Sequence, residues 1–320
     1  MIVSASRRTD IPAFFPDWLI NRVNAGYVLV RNPMNPSMVS RIPLTPDSVD
    51  CFVFWTKNPL PMINRLEELD CAGYHYYFLF SLNGYGERLE ERVPPVAQVL
   101  DTFRTLSEKI GKEKVIWRYD PVVLSKEMPV SFHFENFKRL ATRLQGLTDT
   151  CIFSFLDLYN KCKRNLQGLD IILPDTTTMR TLAEFFDTVA GDMGMTLGAC
   201  AEDLQEWGIG RIKPASCIDG ELIGRLLGSS VQLPKDKHQR PLCNCVESVD
   251  IGTYNTCGHL CRYCYANSNP TSVKRNLEQH HPESPFLIGG AQEGDVVKIR
   301  QLKTPPLRQK KLFRDGADES

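Results

Sequence analysis

The chain has 320 residues, of which 42% are hydrophobic and 24% are charged, and its 38 basic side chains are balanced by 38 acidic ones. This composition is typical of a globular protein with one large α/β domain or two small ones. The zero net charge excludes a global attraction to nucleic acid, although it leaves room for a local basic groove. No apolar run approaches the roughly 20 residues that cross a bilayer, and no signal-like stretch follows the first basic residues. We therefore predict a cytoplasmic protein without a membrane partner.

Short apolar runs alternate with helical patterns through the first 200 residues. The predicted strands are Ile2–Ser6, Cys51–Thr56, Tyr76–Leu82, Lys114–Arg118, Thr150–Phe155 and Met195–Ala199, and a hairpin joins Tyr27–Arg31 to Met38–Leu44. The predicted helices lie near Phe15–Ala25, Pro61–Leu69, Val96–Ile110, Phe134–Leu144 and Thr177–Ala190. Because strands such as CFVFW and YYFLF are apolar on both faces, we expect a parallel α/β fold, either a barrel or an open sheet.

Polar clusters follow four of these strands directly. They are Ser6–Asp10, Thr56–Pro59, Ser81–Gly84 and Arg118–Pro121. These positions are the carboxyl ends of the strands, where α/β barrels collect their catalytic loops. The basic side chains in the clusters, Arg7, Arg8, Lys57 and Arg118, are suited to gripping a carboxylate or phosphate. Salt bridges to Asp10, Asp120 or other acids are the alternative.

The 11 cysteines fall into two groups. In a reducing cytosol they are metal ligands, catalytic thiols or small buried residues rather than disulfides. Four are scattered singly, and we interpret these as core residues: Cys51, Cys71, Cys151 and Cys162. The other seven lie between residues 200 and 264. This clustering indicates a metal centre.

Cys257, Cys261 and Cys264 have the spacing C-x3-C-x2-C. Three thiolates this close repel one another unless a cation joins them. A 4Fe–4S cluster normally takes four thiolates, so three would leave one iron with an open position. An open coordination position indicates a chemical site rather than a structural one. We interpret His259, inside this loop, as a supporting or exposed residue, because the three-cysteine pattern is complete without it.

The remaining cysteines, Cys200, Cys217, Cys243 and Cys245, are enough ligands for an auxiliary iron–sulfur cluster or a zinc site. In the other interpretation, Cys200 and Cys217 are core residues and the Cys-x-Cys pair is incidental. The sequence leaves both open.

The run CGHLCRYCY, from Cys257 onward, resembles the signature of radical S-adenosylmethionine enzymes, with Tyr263 as the aromatic residue before the last cysteine. The resemblance implies that the open iron binds the amino and carboxylate groups of S-adenosylmethionine. It implies further that Tyr263 lies against the adenine and that the reduced cluster cleaves the sulfonium to give a 5′-deoxyadenosyl radical. An electron donor such as flavodoxin or ferredoxin would then be a partner.

The loop departs from that superfamily in its position. Its members generally carry the cysteines after the first barrel strand, whereas here the loop follows nearly all of the α/β alternation. A circular permutation would explain this, with Ile251–Asn255 as the strand before the cluster and Ile2–Ser6 beside it. The predicted fold is thus a partial TIM-like barrel. The polar clusters then supply cofactor contacts from Arg7, Arg8, Thr56, Ser81 and Asn83, and catalytic groups from Lys57, Arg118 and Asp120.

The segments SASRRTDIP, FWTKNP, RYDP and DIGTYNTC resemble a bacterial domain-of-unknown-function family over residues 1–290. A looser similarity to spore photoproduct lyase implies a nucleic acid or nucleotide as substrate. We predict one domain over 1–290, with a cysteine-rich segment at 200–267, and a charged, mobile tail at 291–320. The competing hypothesis is a zinc- or iron–sulfur-stapled binding module without catalysis. A low-potential electron-transfer protein would explain neither the missing fourth ligand nor so large a scaffold.

Overall fold

The computed structural model describes residues 1–208, 211–229 and 233–301. Its strands are β1 (Ile2–Ala5), β2 (Tyr27–Arg31), β3 (Met38–Pro43), β4 (Cys51–Thr56), β5 (Tyr76–Ser81), β6 (Val115–Val122), β7 (Leu124–Ser125), β8 (Thr150–Phe155), β9 (Ile171–Ile172), β10 (Thr196–Ala199), β11 (Lys213–Pro214), β12 (Val249–Asp250) and β13 (Val296–Ile299). Its helices are α1 (Ile11–Phe14), α2 (Pro16–Ala25), α3 (Leu60–Ile63), α4 (Leu66–Cys71), α5 (Val96–Ile110), α6 (Val130–Leu144), α7 (Asn160–Asn165), α8 (Thr176–Asp192), α9 (Gly220–Leu226) and α10 (Pro270–Leu277), with a 3₁₀ turn at Lys112–Lys114.

Eight strands form one parallel sheet in the order β12-β1-β4-β5-β6-β8-β10-β11. Neighbours follow one another in chain order except β12, which comes from late in the chain and pairs with β1 through Val3 and Val249. The predicted proximity to the first strand is therefore confirmed. The predicted bounds Ile251–Asn255 are wrong, because the chain leaves the sheet after Asp250 and Asn255 adopts a left-handed φ of 59°. In the described residues no pairing joins β11 to β12, so the structure shows a parallel sheet and not a closed barrel.

Alternate residues of the strands face two separate cores, which explains the apolar character of both faces. Phe54, Phe80 and Trp117 belong to the larger core. Helices α5, α6 and α8 cover that face, as the predicted helical patterns require. Val53 and Ile116 face the smaller core, which includes residues of α9 and buried cysteines. Full burial of each large side chain contributes roughly 1.5–3 kcal/mol to folding, so both faces stabilise the sheet.

The predicted hairpin is present, with Tyr27–Arg31 antiparallel to Met38–Pro43. Strand β13 pairs with β3 and lies inside the segment that we predicted to be a mobile tail. The pattern did not indicate a strand there because its apolar side chains are exposed, Ile299 by 67%. The part of that prediction that concerns residues 302–320 lies outside the described residues.

Of the four scattered cysteines, Cys51, Cys151 and Cys162 are buried as predicted. Cys71 is exposed, so its assignment to the core is wrong. It lies in the last turn of α4, on the side of the helix away from the sheet core that contains Leu69. No helix among the described residues combines the length and the apolar character needed to span a bilayer.

A buried polar network links β6 to α6. The Tyr119 hydroxyl donates to His133 Nδ1 over 2.8 Å, and His133 Nε2 donates to the Val123 carbonyl over 2.9 Å. The carbonyl can only accept, so Nε2 carries the proton of a neutral ring. In the neutral ring Nδ1 accepts from the Tyr119 hydroxyl, so both ring nitrogens are satisfied without a charge.

We predict that His133 makes folding sensitive to mild acid. Burial lowers the pKa of His133 to about 4, from 6.5 when exposed. The unfolded chain therefore takes up the proton first, and the free energy of unfolding falls by about 3 kcal/mol as pH drops from about 6.5 to about 4. Urea denaturation across this range should show a smaller pH dependence in His133→Gln. The exposed control His281→Gln should keep it, and an unchanged slope in His133→Gln would contradict the prediction.

Candidate active site

A cavity of about 780 Å³ opens where the parallel strands end. Polar residues at or near the ends of five strands line it: Ser6, Thr56, Ser81, Arg118 and Ser154. All seven candidate metal ligands line the same cavity: Cys200, Cys217, Cys243, Cys245, Cys257, Cys261 and Cys264. A volume of this size falls within the roughly 300–1,000 Å³ typical of ligand sites. The polar strand ends and both cysteine groups thus form one candidate site.

The Cys257–Cys264 loop folds back on itself beside β1. The Asn255 amide donates to the Ala266 carbonyl over 2.9 Å, which closes the loop. The Ala266 amide also donates to Cys264 Sγ over 3.4 Å, an arrangement that favours a thiolate. Burial raises the pKa of Cys257, Cys261 and Cys264, and neighbouring thiols add to the effect at Cys257 and Cys261. A bound cation would reverse this balance, since metal ligation requires the deprotonated form.

The donor set of this loop fits an iron–sulfur cluster, with three thiols on one loop and one cavity before them. Among the described residues, however, no group of three or more Cys, His, Asp or Glu side chains already has the spacing of a metal site. The fit therefore rests on the chemistry of the ligands rather than on their distances.

His259 holds the cysteine loop against the end of β1. It is 3% exposed, and its Nε2 lies 3.0 Å from Asp10 Oδ2. Asp10 also accepts the Lys57 amide over 2.7 Å. Gly258 lets the loop approach the ring of Phe14, because a Cβ there would lie 2.7 Å from Phe14 Cε1. These contacts give His259 a positioning role, as the sequence indicated.

Tyr263 is fixed by a buried polar cluster. Its hydroxyl donates to Glu90 and accepts from Asn83 Nδ2 over 3.1 Å. Lys57 Nζ lies 2.6 Å from Glu90 Oε1 and 5.6 Å from the centre of the Tyr263 ring. Burial would lower the pKa of Lys57, but the charge and hydrogen bond of Glu90 together with Cys261 and Cys264 outweigh it and raise that pKa. Lys57 therefore stays a cation beside the loop, where its charge lowers the pKa of Cys261 against the effect of burial.

The predicted catalytic and cofactor residues lie around the cavity, with one exception. Those that line it are Arg7, Arg8, Thr56, Lys57, Ser81, Arg118, Asp120 and Tyr263. Asn83 does not line it and is fully buried. Its amide pairs with the backbone N–H and carbonyl of Asp120, because the chain turns inward after β5. In the structure Asn83 therefore joins the ends of two strands through its side-chain amide.

The basic side chains of the cavity already hold acidic partners in part. Arg118 pairs with Asp120, and Arg8 Nε lies 3.8 Å from Asp250. The guanidinium groups of Arg7 and Arg118 lie 5.6 and 4.8 Å from the centre of the Trp55 ring. Arg7 Nη2, Arg118 Nε and Trp55 Nε1 are buried without a hydrogen-bond partner. Both interpretations of Arg7 and Arg118, anion binding and salt bridging, therefore keep support. Each of these two guanidinium groups retains one unpaired donor.

Sequence reasoning missed Asp250 and Glu90. Asp250 accepts from the Ser6 hydroxyl over 2.8 Å, from the Arg7 amide over 2.8 Å and from the Gly252 amide over 2.9 Å. Asp250 is the first residue of the quoted DIGTYNTC segment, and that position was the signal that could have found it. Glu90 lies in a charged stretch that reads as solvent-exposed, so its burial gave no signal.

The family model described as a domain of unknown function, DUF1848, matches residues 2–266. The chain belongs to this family. No curated protein matches the sequence. Among solved structures, a Bacteroides thetaiotaomicron VPI-5482 protein assigned as an alpha-L-fucosidase is similar at 12% identity and a TM-score of 0.25. That match covers 56% of this chain and 71% of the other, and so low a score carries no argument.

We predict that Gly252→Ala disrupts the cavity edge of this DUF1848 protein. The added methyl group would collide with the Ser6 side chain, at 2.6 Å from its Cβ and closer to its Oγ. Overpacking of this kind costs about 1–3 kcal/mol, so thermal unfolding should shift down by several degrees. Gly290→Ala is the matched control, because a Cβ there meets no atom within 4 Å. Equal melting temperatures for the two variants would refute the collision.

We predict that Lys57 and Glu90 are energetically coupled. Removing one partner of a buried ion pair leaves an uncompensated charge, at a cost of about 3–5 kcal/mol. Glu90→Leu should therefore lower the free energy of unfolding strongly, and Glu90→Leu combined with Lys57→Met should recover much of the loss. A double-mutant cycle by urea denaturation measures this. Additive effects of the two substitutions would show that the pair contributes nothing.

Proposed function

We propose that this DUF1848 protein is a radical S-adenosylmethionine enzyme in which Cys257, Cys261 and Cys264 bind a 4Fe–4S cluster. The observation that carries the proposal is that this three-thiol loop opens onto the cavity at the strand ends. A structural metal would take a fourth protein ligand, and a site for chemistry would lie next to a cavity. The cluster, when bound, would supply reductive cleavage of the S-adenosylmethionine sulfonium.

The position of the loop supports a circularly permuted, partial barrel. Strand β12 stands first in the sheet order, directly beside β1, and the loop follows β12 in the chain. In spatial order, the cysteine loop thus comes after the first strand, as it does in the superfamily that the motif resembles. The late position of the cysteines in the sequence is therefore compatible with the proposed radical S-adenosylmethionine fold.

The residues of this chain have clear tasks under the proposal. Tyr263, held by Glu90 through its hydroxyl, presents its ring at the cavity for the adenine. Lys57 offsets the repulsion among the thiolates, since its charge lowers the pKa of both Cys261 and Cys264 against the effect of burial. Thr56 and Ser81 offer hydroxyl groups from neighbouring strands for the ribose and methionine parts.

The charged groups deeper in the cavity are proposed to meet the substrate. Arg118 is held between Asp120 and the Trp55 ring, so its direction is fixed before anything binds. Arg7 and Arg8 extend the basic edge at the end of β1. A cavity of about 780 Å³ accommodates the cofactor together with a small molecule or one nucleotide. A nucleic acid would therefore present a single unstacked nucleotide, and the electron would come from a donor such as flavodoxin or ferredoxin.

We predict that anaerobically prepared protein contains about four iron atoms per chain in the loop cluster, with matching sulfide. With dithionite and S-adenosylmethionine it should produce 5′-deoxyadenosine, measured by chromatography. Cys257→Ala, Cys261→Ala and Cys264→Ala should each remove this iron and the product, because the cluster loses a ligand. The control Cys71→Ala, at an exposed thiol, should retain both. Zinc without iron or sulfide would refute the proposal and favour a zinc-stapled binding module.

A further inference from the structure

Four cysteines from three distant parts of the chain meet in the smaller core. Cys200 directly follows β10, Cys217 follows β11, and Cys243 and Cys245 lie ahead of β12. All four are buried. The Sγ atoms of Cys200 and Cys217 are 3.5 Å apart, and the Cys245 thiol interacts in turn with those of Cys217 and Cys243. Core packing alone would not bring four thiols into a continuous chain of contacts.

The spacing of these thiols distinguishes the kinds of metal site. With zinc–sulfur bonds of about 2.3 Å, the sulfurs of a tetrahedral site lie about 3.8 Å apart. The ligands of a cubane bind four separate iron atoms and must stand further apart. Among the described residues the four thiols together do not yet have the spacing of a metal site, but one pair, Cys200 and Cys217 at 3.5 Å, is already close to the single-ion distance. The three thiols of the Cys257 loop differ, since no hydrogen bond joins them to one another in the described ranges of the chain.

Two buried arginines supply charge beside the four thiols. The electrostatic neighbours of Arg7 include Cys245 and Cys217, and those of Arg118 include Cys217 and Cys200. Each guanidinium keeps one buried N–H donor without a partner. Thiolate sulfur accepts such donors, and four thiolates around a divalent cation carry a net charge of −2. The arginines therefore fit a negatively charged metal–thiolate centre better than four neutral thiols.

We propose that Cys200, Cys217, Cys243 and Cys245 bind one zinc ion in a tetrahedral four-thiolate site, separate from the Cys257 loop. Binding closes the chain of thiol contacts into a tetrahedron around the metal. The zinc joins the β10–β11 edge of the sheet to the segment that leads into β12 at the opposite edge. The site completes its own coordination with protein ligands, so its role is to hold the cavity wall rather than to react. This proposal does not depend on the radical chemistry.

Metal analysis of the full-length protein prepared without oxygen tests the site. We expect about one zinc per chain, retained after dialysis against a weak chelator. Cys243→Ser and Cys200→Ser should lower zinc by at least tenfold while the iron of the Cys257 loop persists. Cys257→Ala should have the reverse effect. Cys51→Ser is the matched control, a buried thiol in the same core but outside the chain of contacts, and it should keep the zinc.

Zinc-edge X-ray absorption of the wild-type protein tests the geometry without relying on variants that fold poorly. It should give about four sulfur neighbours at about 2.3 Å. About eight irons per chain, or wild-type protein that holds iron and no zinc, would overturn the proposal, as would nitrogen or oxygen ligands in the zinc shell. Absence of iron with zinc bound at the four thiols would refute the radical enzyme and leave the zinc site intact. The two proposals therefore fail separately.

Discussion

The pairing of β12 with β1 is the constraint on which the rest of the site depends. The Asp250 carboxylate secures it, since it accepts hydrogen bonds from the Ser6 hydroxyl and the Arg7 and Gly252 amides at the point where both strands end. Hydrogen bonds to a carboxylate are stronger than those between neutral groups, so this cluster holds the two strand ends together firmly. This cluster orients the cysteine loop, because that loop begins at Cys257, only five residues after Gly252. The late segment and the N-terminal strand thus build one wall of the cavity together.

The second organising feature is the different cover on the two faces of the sheet. On the face toward the larger core, long helices bury large aromatic residues, as is usual for parallel sheets. The face toward the smaller core instead packs against α9 and the four buried cysteines, and the Tyr77 hydroxyl donates to the Cys217 carbonyl over 2.7 Å. The same strands contribute residues both to the smaller core and to the cavity lining. Along β4 the residue on this face changes from Val53 in the core to Trp55 at the cavity, and along β5 it changes from Leu79 to Ser81.

The parts of this structure that sequence could predict are those encoded locally. Strands such as Tyr76–Ser81 are apolar at every position, and the Cys257 loop has all its ligands within eight residues. Polar strand ends were predicted to converge because parallel strands share an edge. What failed depends on contacts between remote residues. Asn83 is a polar residue at a strand end, where ligand contacts are expected, but its side-chain amide is hydrogen-bonded to Asp120. Glu90 lies in a charged stretch typical of an exposed loop, yet it is buried against Lys57 and Tyr263.

The order of the strands also bears on how the molecule is made. During synthesis β1 leaves the ribosome nearly 250 residues before its partner β12, so one backbone edge of β1 stays unsatisfied while the strands between them are made. That edge lies in the nascent chain next to strands that are already able to pair. The cavity wall can assemble only after β12 and the cysteine loop have been synthesised. If the proposed sites bind metal, they acquire it at a maturation step that follows the formation of the sheet.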